Sequence, residues 1–323
     1  MLESAALASG LTSFGKFLVV MPSSDANYDK ISQLVTPDPD GTVRLFSTVD
    51  EAYAAAVTNR NDVIFLSANA THTLTAAIAW SKSRIHVIGL DGGDRLVQQG
   101  AKVSSSSTSS VAYVIKVTGV RNSFRNIKFI QASTNAAALT VVQDGGEGTL
   151  YKNCSFTFGV VNNLNETTAH EFLAGSDSAT FIDCNFGTET LLTSAARSVF
   201  HIDQVTSGQE FKSNILRGCT FLISSSSSTA TFVRLDAVGD ILFTNLFDRC
   251  NFIASVDSAG GAALAEASQT GTGTVKGVLV YSHPAAFNVT DFSTATSGRN
   301  AATQIVGVVP TAGTAGVGVA PTA

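Results

Sequence analysis

Two short polar motifs carry the residue types that acid–base chemistry needs. The aspartates of His201-Ile-Asp203 and Arg234-Leu-Asp236 are 33 residues apart, and a repeat of that length would place them on neighbouring coils of one outward face. Two such carboxylates could act as acid and base, or as acid and nucleophile, in cleaving a glycosidic bond, while Arg234 held an acidic sugar. In the alternative that we favour, Arg234 and the aspartates neutralise one another in a solvated row. Asp177 could extend that row by one coil.

The four cysteines recur at intervals of 30, 35 and 31 residues, as Cys154, Cys184, Cys219 and Cys250. These intervals match no zinc-binding signature. The pattern therefore favours a buried stack of small apolar side chains over a metal site or two disulfides. The segment Asp144-Gly-Gly-Glu147 lacks the ligand spacing of a calcium loop, and we interpret it as a turn. The sequence predicts neither a metal ion nor a cofactor.

A six-residue pattern occurs five times, and four of its copies contain these cysteines. It consists of an apolar residue, any residue, a turn former, Cys or Ile, a polar residue and Phe, and the copies are 124–129, 151–156, 181–186, 216–221 and 247–252. The Cys and the Phe are two residues apart and therefore share one face of a strand. Asn, Asp or Gly at the turn position suits a left-handed backbone, and Arg249 departs from that preference. The predicted core ladder comprises the four cysteines and Phe129, Phe156, Phe186, Phe221 and Phe252.

A second apolar strand precedes most copies of the pattern, at 138–141, 172–174, 199–203 and 232–236. Repeats of about thirty residues built from short strands and turns predict a coil of stacked parallel strands. Residues 41–57 predict a strand and then a helix that begins at a Thr48–Glu51 capping box. Such a helix would cover the unpaired edge of the first coil, whose first two strands we expect at 62–66 and 84–89.

The composition divides the chain into three parts and excludes several functions. All six prolines lie outside residues 40–283, as expected for continuously paired strands. The predicted parts are an N-terminal attachment segment (1–40), a parallel β-helix body (41–282) and a C-terminal extension (283–323). The chain has 25 acidic and 20 basic residues, which argues against nucleic-acid binding by a basic face. No apolar run approaches the roughly 18 residues of a membrane helix, so we expect no membrane insertion.

Residues 41–282 resemble the right-handed parallel β-helix of the pectin-lyase-like class, through the entry helix and the repeated turn, Cys and Phe positions. The resemblance implies an all-β fold: a right-handed parallel β-helix solenoid with an N-terminal capping helix and extended terminal arms. The class includes lyases, glycoside hydrolases, adhesins and phage virion proteins, so the resemblance implies an architecture rather than an activity.

The leading hypothesis is a structural, non-enzymatic virion protein of a tailed bacteriophage. The low charged fraction of 14% and the short segment before the body favour a capsid decoration or accessory protein attached through its terminal arms. It would be made in the host cytoplasm, lie at the virion surface, bind the major capsid protein or other virion proteins, and form a homotrimer. One alternative is a tailspike-like glycan hydrolase or lyase that uses Asp203, Asp236, Arg234 and His201. Another is a non-catalytic adhesin that binds a cell-surface glycan.

Overall fold

The computed structural model describes residues 15–39, 41, 43–68, 70–90, 100–108, 111–159, 169–187, 198–206, 208–225, 230–235, 241–255, 277–287 and 303–306. Two short helices occur in this part of the chain, α1 (Tyr28–Leu34) and α2 (Val49–Ala55). Neither helix is long and apolar enough to cross a bilayer, and the same holds throughout the described residues.

The described strands are short and follow one another closely along the chain. In chain order they are β1 (Phe17–Val20), β2 (Leu45–Phe46), β3 (Val63–Leu66), β4 (Thr71–Leu74), β5 (Ile78–Trp80), β6 (His86–Gly89), β7 (Lys102–Ser105), β8 (Ile115–Val117), β9 (Ser123–Arg125), β10 (Lys128–Gln131), β11 (Thr140–Asp144), β12 (Leu150–Lys152), β13 (Ser155–Phe158), β14 (His170–Ala174), β15 (Thr180–Ile182), β16 (Asn185–Gly187), β17 (Ser198–Ile202), β18 (Phe211–Lys212), β19 (Ile215–Arg217), β20 (Thr220–Ser224), β21 (Thr231–Leu235), β22 (Ile241–Asp248), β23 (Asn251–Ser255), β24 (Gly277–Ser282), β25 (Ala285–Phe287) and β26 (Thr303–Val306).

These strands form three parallel sheets along one axis. The first sheet runs β2-β1-β3-β6-β9-β12-β15-β19-β22-β24-β26, with β18 paired to β22; the second runs β25-β23-β20-β16-β13-β10-β7-β4; the third runs β21-β17-β14-β11-β8-β5. The chain visits the first, second and third sheets in turn and then pairs in parallel with the preceding coil. The predicted all-β parallel solenoid is confirmed. Its right-handed sense and the capping role of the entry helix stay predictions.

The core is a column of stacked aromatic rings. Phe129, Phe156, Phe186, Phe221 and Phe252 are in register on successive strands of the second sheet. Their neighbouring ring centroids are 5.6, 5.0, 5.0 and 4.8 Å apart, and the rings are nearly parallel. Because parallel strands are about 4.8 Å apart, the sheet itself holds the rings at stacking distance.

The four cysteines lie beside this column and are buried and free. Each thiol donates to a carbonyl of the preceding coil: Cys154 Sγ lies 3.3 Å from the oxygen of Phe124, and Cys184 Sγ lies 3.5 Å from that of Tyr151. Burial raises the pKa of the Cys184 thiol well above its ordinary value. Because they are buried and unbridged, the four cysteines serve as small core side chains.

The turn between the first and second sheets has the left-handed backbone that the six-residue pattern predicts. The φ angles are 57° at Asn126, 51° at Asn153, 52° at Asp183 and 64° at Gly218. Arg249 adopts the same conformation, at 52°, although its type does not favour it. At the Arg249 turn, the stacking of the coils therefore imposes a left-handed backbone that the residue type does not favour.

The sheets extend past both predicted boundaries of the body. Strand β1, inside the predicted segment 1–40, pairs with β3 from Phe17 opposite Val63 to Val20 opposite Leu66. At the other end, β25 and β26 lie inside the predicted extension 283–323 and pair with β23 and β24. Parallel pairing needs only extended backbone, which explains why these strands lack the repeated Cys and Phe pattern.

Helix α2 begins as predicted and packs on the first coil. Thr48 Oγ1 accepts from the Glu51 amide and Glu51 Oε2 accepts from the Thr48 amide, which completes the capping box. The Tyr53 ring stacks on Trp80, with centroids 4.1 Å apart. At the end of the helix, Lys82 Nζ donates to the carbonyls of Tyr53, Ala54 and Ala56 at 2.7–2.8 Å.

Candidate functional site

The structure places two of the predicted site residues side by side on the third sheet. His201 on β17 lies directly opposite Arg234 on β21, and Leu173 on β14 takes the same position one coil earlier. His201 is only 8% exposed, and its ring packs edge-on against that of His170, with centroids 4.9 Å apart. His201 and Arg234 are thus cross-strand neighbours, but His201 is buried and does not lie on a solvated face.

The predicted pairing of Asp203 with Asp236 stays a prediction. Asp203 follows β17, and its Oδ1 accepts from the adjacent Gln204 amide at 2.7 Å. Asp236 lies outside the described residues. The expectation that Asp177 extends the Asp203 row is wrong, because Asp177 is bridged to Glu147 on one side and to Lys212 on the other. Ala174 lies opposite Ile202, so Gly175 and not Asp177 lies beside Asp203.

A groove lies along the turns that lead from the third sheet to the first. Its volume is about 280 Å³. It crosses the three turns after β8, β11 and β14, and the segment 208–212 forms one wall. The lining residues are Thr118, Val120, Gly145, Gly146, Glu147, Gly175, Asp177, Gly208, Gln209, Glu210 and Lys212.

Glycines let the chain after β17 fold back over these turns. A side chain at Gly145 would collide with Gln209, and one at Gly175 would lie 2.7 Å from the Asp203 carbonyl oxygen. The returning chain is fastened by Gln209 Nε2, which donates to the Gly145 carbonyl, and by Lys116 Nζ, which donates to the Val205 carbonyl at 3.2 Å. The groove therefore depends on small residues in the turns and on the length of one connection.

The lining of the groove contains three carboxylates and one ammonium group. Lys212 Nζ forms an ion pair with Asp177 Oδ2 at 2.8 Å. The hydrogen bond that Lys212 donates to Asp177 raises the pKa of Lys212, and the charges of Asp177, Glu147 and Glu210 raise this pKa further. Lys212 is therefore charged at any physiological pH, and the carboxylates outnumber it.

A fourth carboxylate, Asp144, is buried directly beneath the groove. Its Oδ1 accepts from the Gly146 amide at 2.9 Å and from Thr149 Oγ1 at 3.4 Å. Its Oδ2 faces the buried Tyr151 hydroxyl without a hydrogen bond of good geometry. Burial raises the pKa of Asp144 to about 7. The sequence does not predict a buried carboxylate here, because Asp144 precedes two glycines like an ordinary turn former, and only its even spacing from Val142 indicates that it points inward.

Within the described residues, no three histidine, cysteine or carboxylate side chains are grouped as a metal site requires.

Comparisons with known proteins returned structural likenesses only. No family model and no curated protein matches the chain. A pectin methylesterase mutant in complex with a hexasaccharide is 13% identical, over 88% of this chain and 82% of that chain, with a TM-score of 0.49. Pectin methylesterase PemA from Erwinia chrysanthemi is 12% identical, over 87% and 82%, with a TM-score of 0.48. The ORF18 protein of Geobacillus virus E2 is 12% identical, over 80% of this chain and 56% of that chain, with a TM-score of 0.38.

These values carry no information on activity or substrate. The solenoid architecture rests on the parallel strand pairing described above.

Proposed function

We propose that this chain is a structural protein of a tailed-bacteriophage virion, a decoration or accessory protein at the capsid surface. The supporting observation is the uninterrupted aromatic column that runs through the second sheet from Phe129 to Phe252. A solenoid with such a core is a stiff rod whose coils each contact only their neighbours. Stiffness and close packing are the properties that a particle surface needs.

The contacts of the polar outer residues also favour a structural role. The Asp177–Lys212 pair joins successive turns. Arg217 on β19 and Arg249 after β22 both contact the Asp248 carboxylate, at 3.1 and 3.3 Å. The Asp177–Lys212 and Arg217–Asp248 pairs each hold one coil against the next.

The proposed partners are the major capsid protein or other virion proteins, reached through the terminal segments 1–40 and 283–323, and two further copies of the chain. A trimer would have a mass close to three times 33.5 kDa, which light scattering on the purified chain measures directly.

The virion role is tested by quantitative mass spectrometry of density-purified particles of the phage that encodes the chain. We expect the chain in a fixed ratio to the major capsid protein, and we expect that ratio to survive a high-salt wash. A chain recovered only from the lysate, with none in the particles, would refute the proposal.

A further inference from the structure

We infer that the outer face of the first sheet, at β6, β9 and β12, binds a chain of phosphodiester-linked polyol units. This surface, the cationic face, carries four positively charged side chains: Arg84, Arg121, Arg125 and Lys152. The inference does not depend on the virion role, because it rests on the charge and the spacing of these side chains.

The cations of this face point away from the core. Phe124 of β9 and Tyr151 of β12 stack on each other inside the solenoid, so the adjacent Arg125 and Lys152 face outward. Two of the four cations are exposed and two are half-buried, Arg121 and Lys152 in the first group and Arg84 and Arg125 in the second. The face therefore presents its positive charge to solvent.

The register of the sheet arranges the four cations as two pairs on neighbouring coils. Arg125 lies directly opposite Lys152. The Arg84 amide donates to the Val120 carbonyl at 2.9 Å, which places Arg84 beside Arg121. Neighbouring strands are about 4.8 Å apart, so the two cations of a pair can reach one anion. Along β9 the pairs are four residues apart, or about 13 Å, so the ligand must carry several anions.

The cations of the face lack protein counter-ions. No carboxylate of the described residues forms an ion pair with any of the four. Two carboxylates near the face belong to other contacts: Asp62 accepts from Arg60, and Glu147 lines the groove. Further along the same outer face, in contrast, Arg217 is paired with Asp248 at 3.1 Å. The positive charge of the cationic face is thus available to an external anion.

Arg125 is held in place without a carboxylate. Its Nε is buried and has no hydrogen-bond partner in the described part of the chain, so packing alone positions the guanidinium group. Burial, and then the charge of Arg125, lowers the pKa of His86 to about 4. His86 is therefore neutral, and its Nδ1 is hydrogen-bonded to Ser123 Oγ at 2.8 Å. The middle of the face, between the two cation pairs, is polar and uncharged.

This alternation of charged and neutral regions favours phosphodiesters joined by uncharged polyols. A polyuronate or an acidic peptide has closely spaced carboxylates, and some of them would lie over the neutral middle, where no cation offsets their desolvation. In a polyol phosphate, hydroxyl-bearing carbons separate the anions. Each phosphodiester can accept charge-assisted hydrogen bonds from both cations of a pair, and these are bidentate where the donor is arginine.

A nucleic acid also carries phosphodiesters, but its bases need aromatic side chains on which to stack. The exposed aromatic residues of the described chain, Phe243 on β22 and Phe287 on β25, lie outside the cationic face. The face therefore offers bases no platform, and a polyol phosphate is the favoured ligand.

The test is calorimetric titration of the full chain with a synthetic hexamer of ribitol phosphate, first at low salt and then at increasing salt. The comparison ligands are hexathymidylate, hexagalacturonate and hexaglutamate. The variants are Arg121→Gln and Lys152→Gln, which remove one exposed cation from each pair. Arg217→Gln is the matched control, because Arg217 is an exposed cation of the same outer face that is already paired with Asp248.

We expect saturable binding of the ribitol phosphate hexamer that weakens as salt rises, and binding of each comparison ligand that is weaker by roughly tenfold or more. Arg121→Gln and Lys152→Gln should each weaken binding of the hexamer about three- to tenfold, through loss of a charge-assisted contact. Arg217→Gln should leave the affinity unchanged.

The inference is overturned if the ribitol phosphate hexamer does not bind, or if Arg217→Gln weakens its binding as much as Arg121→Gln does. Equally tight binding of hexagalacturonate or hexaglutamate would also overturn it, and equally tight binding of hexathymidylate would assign the face to nucleic acid instead. The virion measurement is unaffected by any of these outcomes, so the two proposals fail separately.

Discussion

Asp144 shows how one residue can alter the stability of the whole solenoid. It lies at the end of β11 with its side chain buried, among the Gly146 amide, Thr149 and Tyr151. Burial disfavours the ionised form and raises the pKa to about 7. Because the pKa is higher in the folded state than in the unfolded state, stability from this group is complete below the unfolded pKa and is lost as pH rises through about 7.

We therefore predict that Asp144→Asn stabilises the protein only at high pH. The neutral amide keeps the acceptor for the Gly146 amide and removes the charge that must be buried above neutral pH. Its free energy of unfolding should match that of the wild type at pH 5 within about 1 kcal/mol and exceed it by about 1–3 kcal/mol at pH 8.5. Urea unfolding at both pH values measures the difference. An equal loss of stability at both pH values would contradict a buried, titrating Asp144.

Arg249 is strained by its position in the row of left-handed turns. The equivalent positions hold Asn126, Asn153, Asp183 and Gly218, residue types that tolerate a positive φ. Arg249 is strongly exposed and contacts only the edge of Asp248 at 3.3 Å.

Arg249→Asn should therefore stabilise the protein by about 0.5–1 kcal/mol, since it relieves backbone strain and loses only an exposed ion pair. Arg217→Asn is the matched control, because Arg217 also contacts Asp248 but lies in a regular strand. Thermal unfolding of both variants measures the effect. A gain in the control equal to that in Arg249→Asn would show that charge, and not the turn, is responsible.

At the scale of elements, helix α2 depends on one lysine from the next coil. A helix of seven residues leaves most of its last carbonyls without partners. Lys82 Nζ donates to three carbonyls of this helix end and carries the charge that a helix C-terminus prefers.

We predict that Lys82→Met, which keeps the length of the side chain, lowers the free energy of unfolding by about 1–2 kcal/mol. Lys152→Met on β12 removes an exposed ammonium and serves as the control. Urea unfolding followed by Trp80 fluorescence suits this test, since Trp80 stacks on Tyr53 of the helix. Equal stability of Lys82→Met and the wild type would show that the helix is held by Tyr53 and the buried alanines alone.

The elements that the sequence predicts are those whose side chains must repeat from coil to coil. Phe156 and Cys154 recur because each stacks on its counterpart at strand spacing, so their positions are visible as a period. Strands β4 and β25 contain no residue of the repeated Cys and Phe pattern, so the sequence does not predict them. The sequence does not predict the groove, because the groove depends on where the connection after Asp203 rejoins the sheets. The repeated Cys and Phe positions do not fix the length of that connection.

At the scale of the whole molecule, the chain is organised around its axis rather than around a single cleft. The first sheet stacks Phe124, Tyr151 and Phe181 at 5.3 and 4.9 Å. It thus runs a second aromatic column beside that of the second sheet. The Tyr151 ring meets the ring of Phe156, which belongs to the column of the second sheet, edge-on. Two interlocked columns make each coil's stability depend on the coils beside it, which fits the proposed structural role.

The proposed virion role is tested most directly by electron cryomicroscopy of phage particles, purified from the source of the chain. The proposal predicts density for a three-sheeted parallel solenoid in regular copies on the outside of the icosahedral shell. Density for the chain at a tail tip, with none on the shell, would contradict the capsid decoration role.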